Sequence, residues 1–239
     1  MEIYATDFSA KAKADLSPVT IADEEAEKII LAHLKKYWPD IPVVAEEAAA
    51  AGKIPAVADQ FFLVDPLDGT KEFLSRNGEF TVNIALIKNG APVTGVVYAP
   101  ALSRMFIGNT EFGAAQAQLA VGDQLSAANW QAIKVRALPA GGATVLASRS
   151  HRDAETETYL ATLNVKEIIG AGSSLKFCTI AAGEADIYPR FGRTMEWDTA
   201  AGHAVLAAAG GKVCIVEGSP LKYGKSERGF DNPAFIASA

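Results

Sequence analysis

Apolar residues recur at helical spacing over residues 20–38, with Ala26, Ile29, Ile30, Leu34 and Tyr37 on one face. Thr20-x-x-Asp23 forms a capping box at the start of this segment, and Pro39 supports a stop. Pro42-Val43-Val44-Ala45 then reads as a strand ending in Glu46-Glu47, and Phe61-Phe62-Leu63-Val64 as a buried strand closed by Asp65-Pro66. The runs from Phe80 to Ile87 and from Pro92 to Tyr98 flank Asn89-Gly90, a strong hairpin signal, and Met105-Phe106-Ile107 predicts a third strand beside them. A stretch rich in Gly, Ala and Gln follows at residues 113–130, with no element assigned to it. Beyond it, residues 143–147 and 165–169 read as strands and residues 153–163 and 173–182 as helices, so the second half alternates α and β. An Ala-rich helix over residues 199–209 has Asp198 at its N-cap position and is terminated by Gly210-Gly211.

The length of 239 residues suffices for one large domain or two small ones. A boundary near residue 135 separates an α+β part, 1–135, from an α/β part, 136–239. With 49% apolar and 21% charged residues the composition is that of an ordinary globular protein. No apolar run approaches the roughly 18 residues of a membrane span, and the N-terminus lacks the basic-then-apolar pattern of a signal peptide. The expectation is a cytoplasmic protein with no transmembrane segment and no encoded anchor; contact with the inner membrane surface stays open. Cys178 and Cys214 sit in apolar surroundings without CxxC spacing, which predicts buried thiols rather than a disulfide or a zinc site. A net charge of −6 without a long basic block argues against gripping a nucleic acid polymer. An acidic protein that handles an anion must neutralise it locally, and bound cations are one way.

The candidate chemistry lies at strand ends. Asp65-Pro66-Leu67-Asp68-Gly69-Thr70 puts two carboxylates three residues apart, followed by glycine and a hydroxyl at a helix start. Two such carboxylates repel unless hard cations such as Mg²⁺ lie between them. Gly69 lets the backbone approach a phosphate, and the N–H groups that follow can donate to its oxygens. Each acid alone also has a plain structural reading: Asp65 and Asp68 as a capped turn, Glu46-Glu47 as solvated surface, Asp198 as an N-cap, Asp23 as part of a capping box. The haloacid-dehalogenase pattern DxDGT, with its nucleophilic first aspartate, is disfavoured because this chain has one residue more between the two carboxylates.

Asp65-Pro66-Leu67-Asp68-Gly69-Thr70, Trp197-Asp198-Thr199-Ala200-Ala201 and the upstream Glu46-Glu47 together resemble the inositol monophosphatase superfamily. Pro66-Leu67-Asp68-Gly69-Thr70-Lys71-Glu72-Phe73, Asn77-Gly78-Glu79-Phe80-Thr81-Val82-Asn83-Ile84-Ala85, Ser148-Arg149-Ser150-His151 and Gly172-Ser173-Ser174-Leu175-Lys176-Phe177-Cys178 resemble its 3'(2'),5'-bisphosphate nucleotidases of the CysQ type, over Ser17 to about Pro233. The resemblance implies a layered α/β/α/β/α sandwich of the sugar-phosphatase type, with the active site between two subdomains. It implies two or three Mg²⁺ ions per site: Glu46, Asp65 and the Leu67 carbonyl on one, Asp65, Asp68 and Asp198 on a second. Thr70 and Asp23 would orient and deprotonate the attacking water, Glu46 would help hold it, and Glu47 would support the site from behind. Glu46, Leu67, Asp68, Gly69, Thr70 and Asp198 would also face the substrate phosphate.

His151, Ser173, Lys176 and Arg190 match positions around the nucleotide and its non-reacting phosphate, although on their own a helical lysine is ordinarily solvated and Arg190 could make a structural ion pair. The implied activity is magnesium-dependent, lithium-sensitive removal of the 3'-phosphate of adenosine 3',5'-bisphosphate, a small phosphorylated nucleotide of sulfur metabolism, by a monomer or homodimer. Inositol monophosphatase or fructose-1,6-bisphosphatase activity is the alternative, and a non-catalytic phosphonucleotide sensor is the alternative of another class. Family members carry a full helix before Ser17-Pro18-Val19-Thr20, where this chain offers about sixteen residues. The first helix is therefore expected to be missing, with Met1-Glu2-Ile3-Tyr4 as its tail, which puts its packing and any dimer contact in doubt.

Overall fold

A computed structural model of the chain describes residues 1–5, 10–12, 18–147 and 154–239, and side chains outside 10–12 and 18–20. The backbone order is β1 (Ala10–Ala12), β2 (Pro18–Thr20), α1 (Ile21–Tyr37), β3 (Val43–Ala45), α2 (Glu46–Ala50), β4 (Gln60–Asp68), α3 (Thr70–Ser75), β5 (Thr81–Lys88), β6 (Ala91–Ala99), β7 (Arg104–Asn109), β8 (Gly113–Gln118) and β9 (Trp130–Ile133). It continues with β10 (Ala143–Ala147), α4 (Ala154–Leu160), β11 (Val165–Gly170), α5 (Leu175–Ala181), β12 (Ile187–Arg190), α6 (Glu196–Ala208), β13 (Lys212–Ile215) and β14 (Phe235–Ser238). Short 3₁₀ turns add to these, one of them at Ile3–Ala5, where the Tyr4 ring packs at a tilt against Phe73 and Phe80.

Two mixed sheets organise the chain: a seven-stranded one in the order β3-β4-β5-β6-β7-β8-β9 and a five-stranded one in the order β11-β10-β12-β14-β13. The strand at residues 61–64 extends to nine residues and is buried throughout its middle because it serves two cores at once. Phe62 and Val64 face Leu34 of α1, whereas Phe61 and Leu63 face the inter-sheet core with Phe177, Ala201 and Val205 of α5 and α6. Helices α5 and α6 thus fill the space between the sheets, α1 covers the far face of the large sheet, and α4 packs on β12 of the small one. This is the expected α/β/α/β/α layering.

The Ala-rich composition of α6 has a packing cause. A side chain at Gly95 of β6 would strike the Ala201 carbonyl, and one at Gly108 of β7 would strike the Val205 backbone. The helix lies directly on the strand backbones, and only small residues allow that approach. The Gly/Ala/Gln-rich stretch holds β8 and the edge strand β9, which the sequence left unassigned: its small residues alternate without an apolar stripe. Thr20 precedes α1 directly, but its side chain lies outside those described; Asp23, assigned to a capping box, is buried at 1% exposure. Cys178 is fully buried and Cys214 only partly, and neither forms a disulfide.

Candidate active site

Asp65 follows Phe61 and Leu63 in strand parity, so it faces the inter-sheet side. In a regular strand Asp68, three residues on, would point the opposite way. The pairing corrects this: Asp65 stands opposite Asn83 and Asp68 opposite Thr81, three steps in β4 against two in β5. One extra residue forms a bulge and returns Asp68 to the face of Asp65, Thr81 and Asn83. The bulge is tightened by the Leu67 N–H, which donates to Asp65 Oδ1 at 2.9 Å.

The layers converge here. The Ser174 N–H donates to Asp68 Oδ2 at 2.7 Å, and Asn83 Nδ2 reaches the same oxygen at 3.3 Å and Ser174 Oγ at 2.9 Å. Ser174 Oγ donates onward to the Asp198 carbonyl at 2.6 Å, tying β4 to α6. Asp198 is the third residue of α6 and not its N-cap. The helix begins earlier, at Glu196, whose fully buried carboxylate accepts the N–H groups of Gly224 and Lys225 and pairs with Lys225 Nζ at 2.6 Å. The Asp198 side chain instead turns back to accept the Met195 N–H at 2.8 Å. Asp23 comes from α1, and Glu46 opens α2 at the end of β3.

These acids feel one another. Burial pushes the Asp65 carboxyl well above the ordinary range, and Glu46, Asp68, Asp198 and Asp23 each add to the shift. Asp198 is raised by burial and then by Asp68. Burial also lifts Asp68, to about 6, against the opposing pull of Lys176 and the Ser174 N–H. Lys176 is not the solvated lysine its helical position suggested. It is 8% exposed, donates to the Ser173 carbonyl at 3.1 Å and lies 5.2 Å from the Tyr188 ring centroid. Burial lowers its pKa, and Asp68 opposes that. Arg190, on β12, donates from Nη2 to the Arg193 carbonyl at 3.0 Å, and its buried Nε has no hydrogen-bond partner among the described residues.

Asp68, Gly69, Ser173, Lys176, Arg190 and Asp198 share the wall of one cavity of about 220 Å³. Gly69 sits at φ +92°, and a side chain there would strike Ser173 Oγ. Thr70 begins α3 directly after it. The Ser173 hydroxyl is directed at the backbone carbonyls of Glu79 (2.6 Å) and Asp68 (2.9 Å). His151 and its neighbours Ser148, Arg149 and Ser150 lie outside the described residues. Sequence reasoning assigned no role to Asn83 and Ser174, nor to Glu27. Asn83 was detectable: it and Thr81 are polar at the inward-facing positions of an otherwise apolar strand, and a buried polar group needs a partner.

The donor set suits a hard cation. It offers carboxylates at the end of one strand and the starts of two helices, and burying them together raises the energy of their charged forms. As the side chains stand, no three His, Cys, Asp or Glu among the described residues converge tightly enough to hold an ion.

The model of the Inositol monophosphatase family matches residues 1–236. The chain belongs to the inositol monophosphatase family. Within it, the chain is 47% identical over 240 residues to the 3'(2'),5'-bisphosphate nucleotidase CysQ of Escherichia coli O157:H7, covering all of this chain and 93% of that protein. It matches the crystal structure of CysQ from Bacteroides thetaiotaomicron, a bacterial member of the inositol monophosphatase family, at 40% identity and a TM-score of 0.83, over all of this chain and 90% of the other. The inositol monophosphatase from Anabaena (Nostoc) sp. PCC 7120 matches at 26% identity and a TM-score of 0.71, over 91% of this chain and 81% of that one. Among the described residues no helix is long and apolar enough to cross a membrane.

Proposed function

We propose that this member of the family is a magnesium-dependent 3'(2'),5'-bisphosphate nucleotidase that removes the 3'-phosphate of adenosine 3',5'-bisphosphate, giving AMP and phosphate. The observation that carries the reading is one cavity wall shared by Asp68 and Asp198, two members of the acidic cluster suited to cations, and by Lys176 and Arg190, two basic side chains suited to a second phosphate. The full-length similarity to nucleotidases named CysQ supports it.

Glu46, Asp65 and the Leu67 carbonyl would hold one Mg²⁺, and Asp65, Asp68 and Asp198 another. When bound, the ions acidify water and neutralise charge on the attacking and leaving oxygens. The chain's own residues do the rest. The Thr70 hydroxyl orients the attacking water, and the Asp23 carboxylate, buried on α1, takes its proton, with Glu46 helping to hold the water. Backbone N–H groups at Gly69 and Thr70 hold oxygens of the reacting phosphate as charge spreads over them. Lys176 and Arg190, whose Nε has no hydrogen-bond partner among the described residues, face the non-reacting phosphate, which inositol 1-phosphate lacks.

The test is phosphate release with Mg²⁺ from adenosine 3',5'-bisphosphate, inositol 1-phosphate and fructose 1,6-bisphosphate, with and without lithium. The nucleotide should be preferred, lithium should inhibit, and Arg190→Ala should raise KM for the nucleotide at least about tenfold while changing inositol 1-phosphate turnover far less. Equal or better turnover of the sugar phosphates would make this a broad phosphatase. No turnover of any substrate would leave a phosphonucleotide sensor.

A further inference from the structure

Asp23 and Glu27 lie one turn apart on α1, and both are buried. Asp23 adjoins the acidic cluster, and the Glu27 carboxylate meets the start of α2. Helix α2, which begins with Glu46, follows Ala45, a residue with no side chain able to cap it. The first N–H groups of a helix need acceptors outside it. Glu27 supplies them from twenty positions upstream: its Oε2 accepts the Glu47 N–H at 2.8 Å, and its Oε1 accepts the Ala48 N–H at 2.9 Å. Both carboxylate oxygens are engaged, and they hold two consecutive peptide units immediately after Glu46.

We propose that Glu27 is a positioning residue for the reaction: its carboxylate clamps the first turn of α2 and so fixes where Glu46 enters the site. One helix then sets two distances, placing Asp23 directly and Glu46 through the clamp. The inference rests on the reading of Glu46 as an ion ligand.

Glu27→Gln keeps the size of the side chain and one acceptor oxygen but turns the other into a donor facing an N–H. Partners that orient a metal ligand are worth tenfold or more in affinity. The Mg²⁺ concentration for half-maximal activity should therefore rise about tenfold, with a smaller fall in kcat, and calorimetric Mg²⁺ binding should weaken by about the same factor. A clamp that served stability alone would lower Tm in chelator and leave both Mg²⁺ measurements unchanged, and that result overturns the proposal. Glu46→Gln is the reference: if it leaves Mg²⁺ binding intact, the ligand reading beneath the proposal fails instead. Should Glu27→Gln not fold, amide exchange of the unaltered protein decides. Protected Glu47 and Ala48 amides uphold the clamp, and fast exchange at both removes it.

Discussion

Asp68→Asn should abolish turnover and yet make the protein more stable once Mg²⁺ is chelated. Burial raises the Asp68 carboxyl from its ordinary 3.8 to about 6, so its charged form is disfavoured in the fold. A raised carboxyl contributes stability that is fully present below pH 3.8 and is lost as pH rises through about 6. The shift of about two units corresponds to roughly 3 kcal/mol at 1.36 kcal/mol per unit. Asp68 keeps some solvent contact through the cavity, so about half of this is the working figure. The amide loses little in exchange: the Ser174 N–H, Asn83 Nδ2 and Thr81 Oγ1 all reach the single oxygen Oδ2, which the asparagine oxygen replaces. The buried His203, lowered to about 4, changes stability in the opposite sense, rising with pH, but it is common to both proteins and cancels in their difference. Thermal melts in EDTA should coincide near pH 4 and separate by about 3–6 °C in favour of the variant at pH 8, taking 2–4 °C per kcal/mol for a chain of this size. The curvature of the difference should centre near pH 5–6. A variant less stable than the parent at pH 8, or normal phosphate release by it, would refute the argument that the carboxylates repel and await a cation.

Two further outcomes follow from packing outside the cavity. Gly95→Ala should lower stability by roughly 1–3 kcal/mol and reduce kcat, because the new methyl pushes α6, and with it Asp198, away from β6; denaturant melts and kinetics on the same sample check both. Arg136→Ala should cost about 2–4 kcal/mol with near-normal kcat and KM. It strips the buried Asp186 of its two 2.8 Å bonds and leaves only the Thr144 N–H. Since the Arg136 bonds hold Asp186 below the ordinary range, the parent's advantage is present above that range and shrinks as pH falls through it, which melts at pH 7 and pH 3 would reveal.

Local pattern determined much of this protein. The Asn89-Gly90 hairpin, the helix from Ile21 to Tyr37, the strand ending in Asp65 and the small-residue helix carrying Asp198 each follow from residue chemistry within a dozen positions, where periodicity and turn propensity act. The resemblance carried by the two acidic motifs pointed to the family. Tertiary structure decided what spacing could not. The bulge that turns Asp65 and Asp68 to one face depends on Asn83 and Thr81 in the next strand, and alternation alone predicts opposite faces. The burial of Lys176 depends on Tyr188 beside it, while a helical lysine read by itself is solvated. The start of α6 at Glu196 depends on Lys225, and the cap on α2 depends on Glu27. In each case the deciding partner belongs to another part of the fold. A side chain's desolvation and its hydrogen bonds belong to the neighbours that the fold supplies, and no local window of sequence contains them.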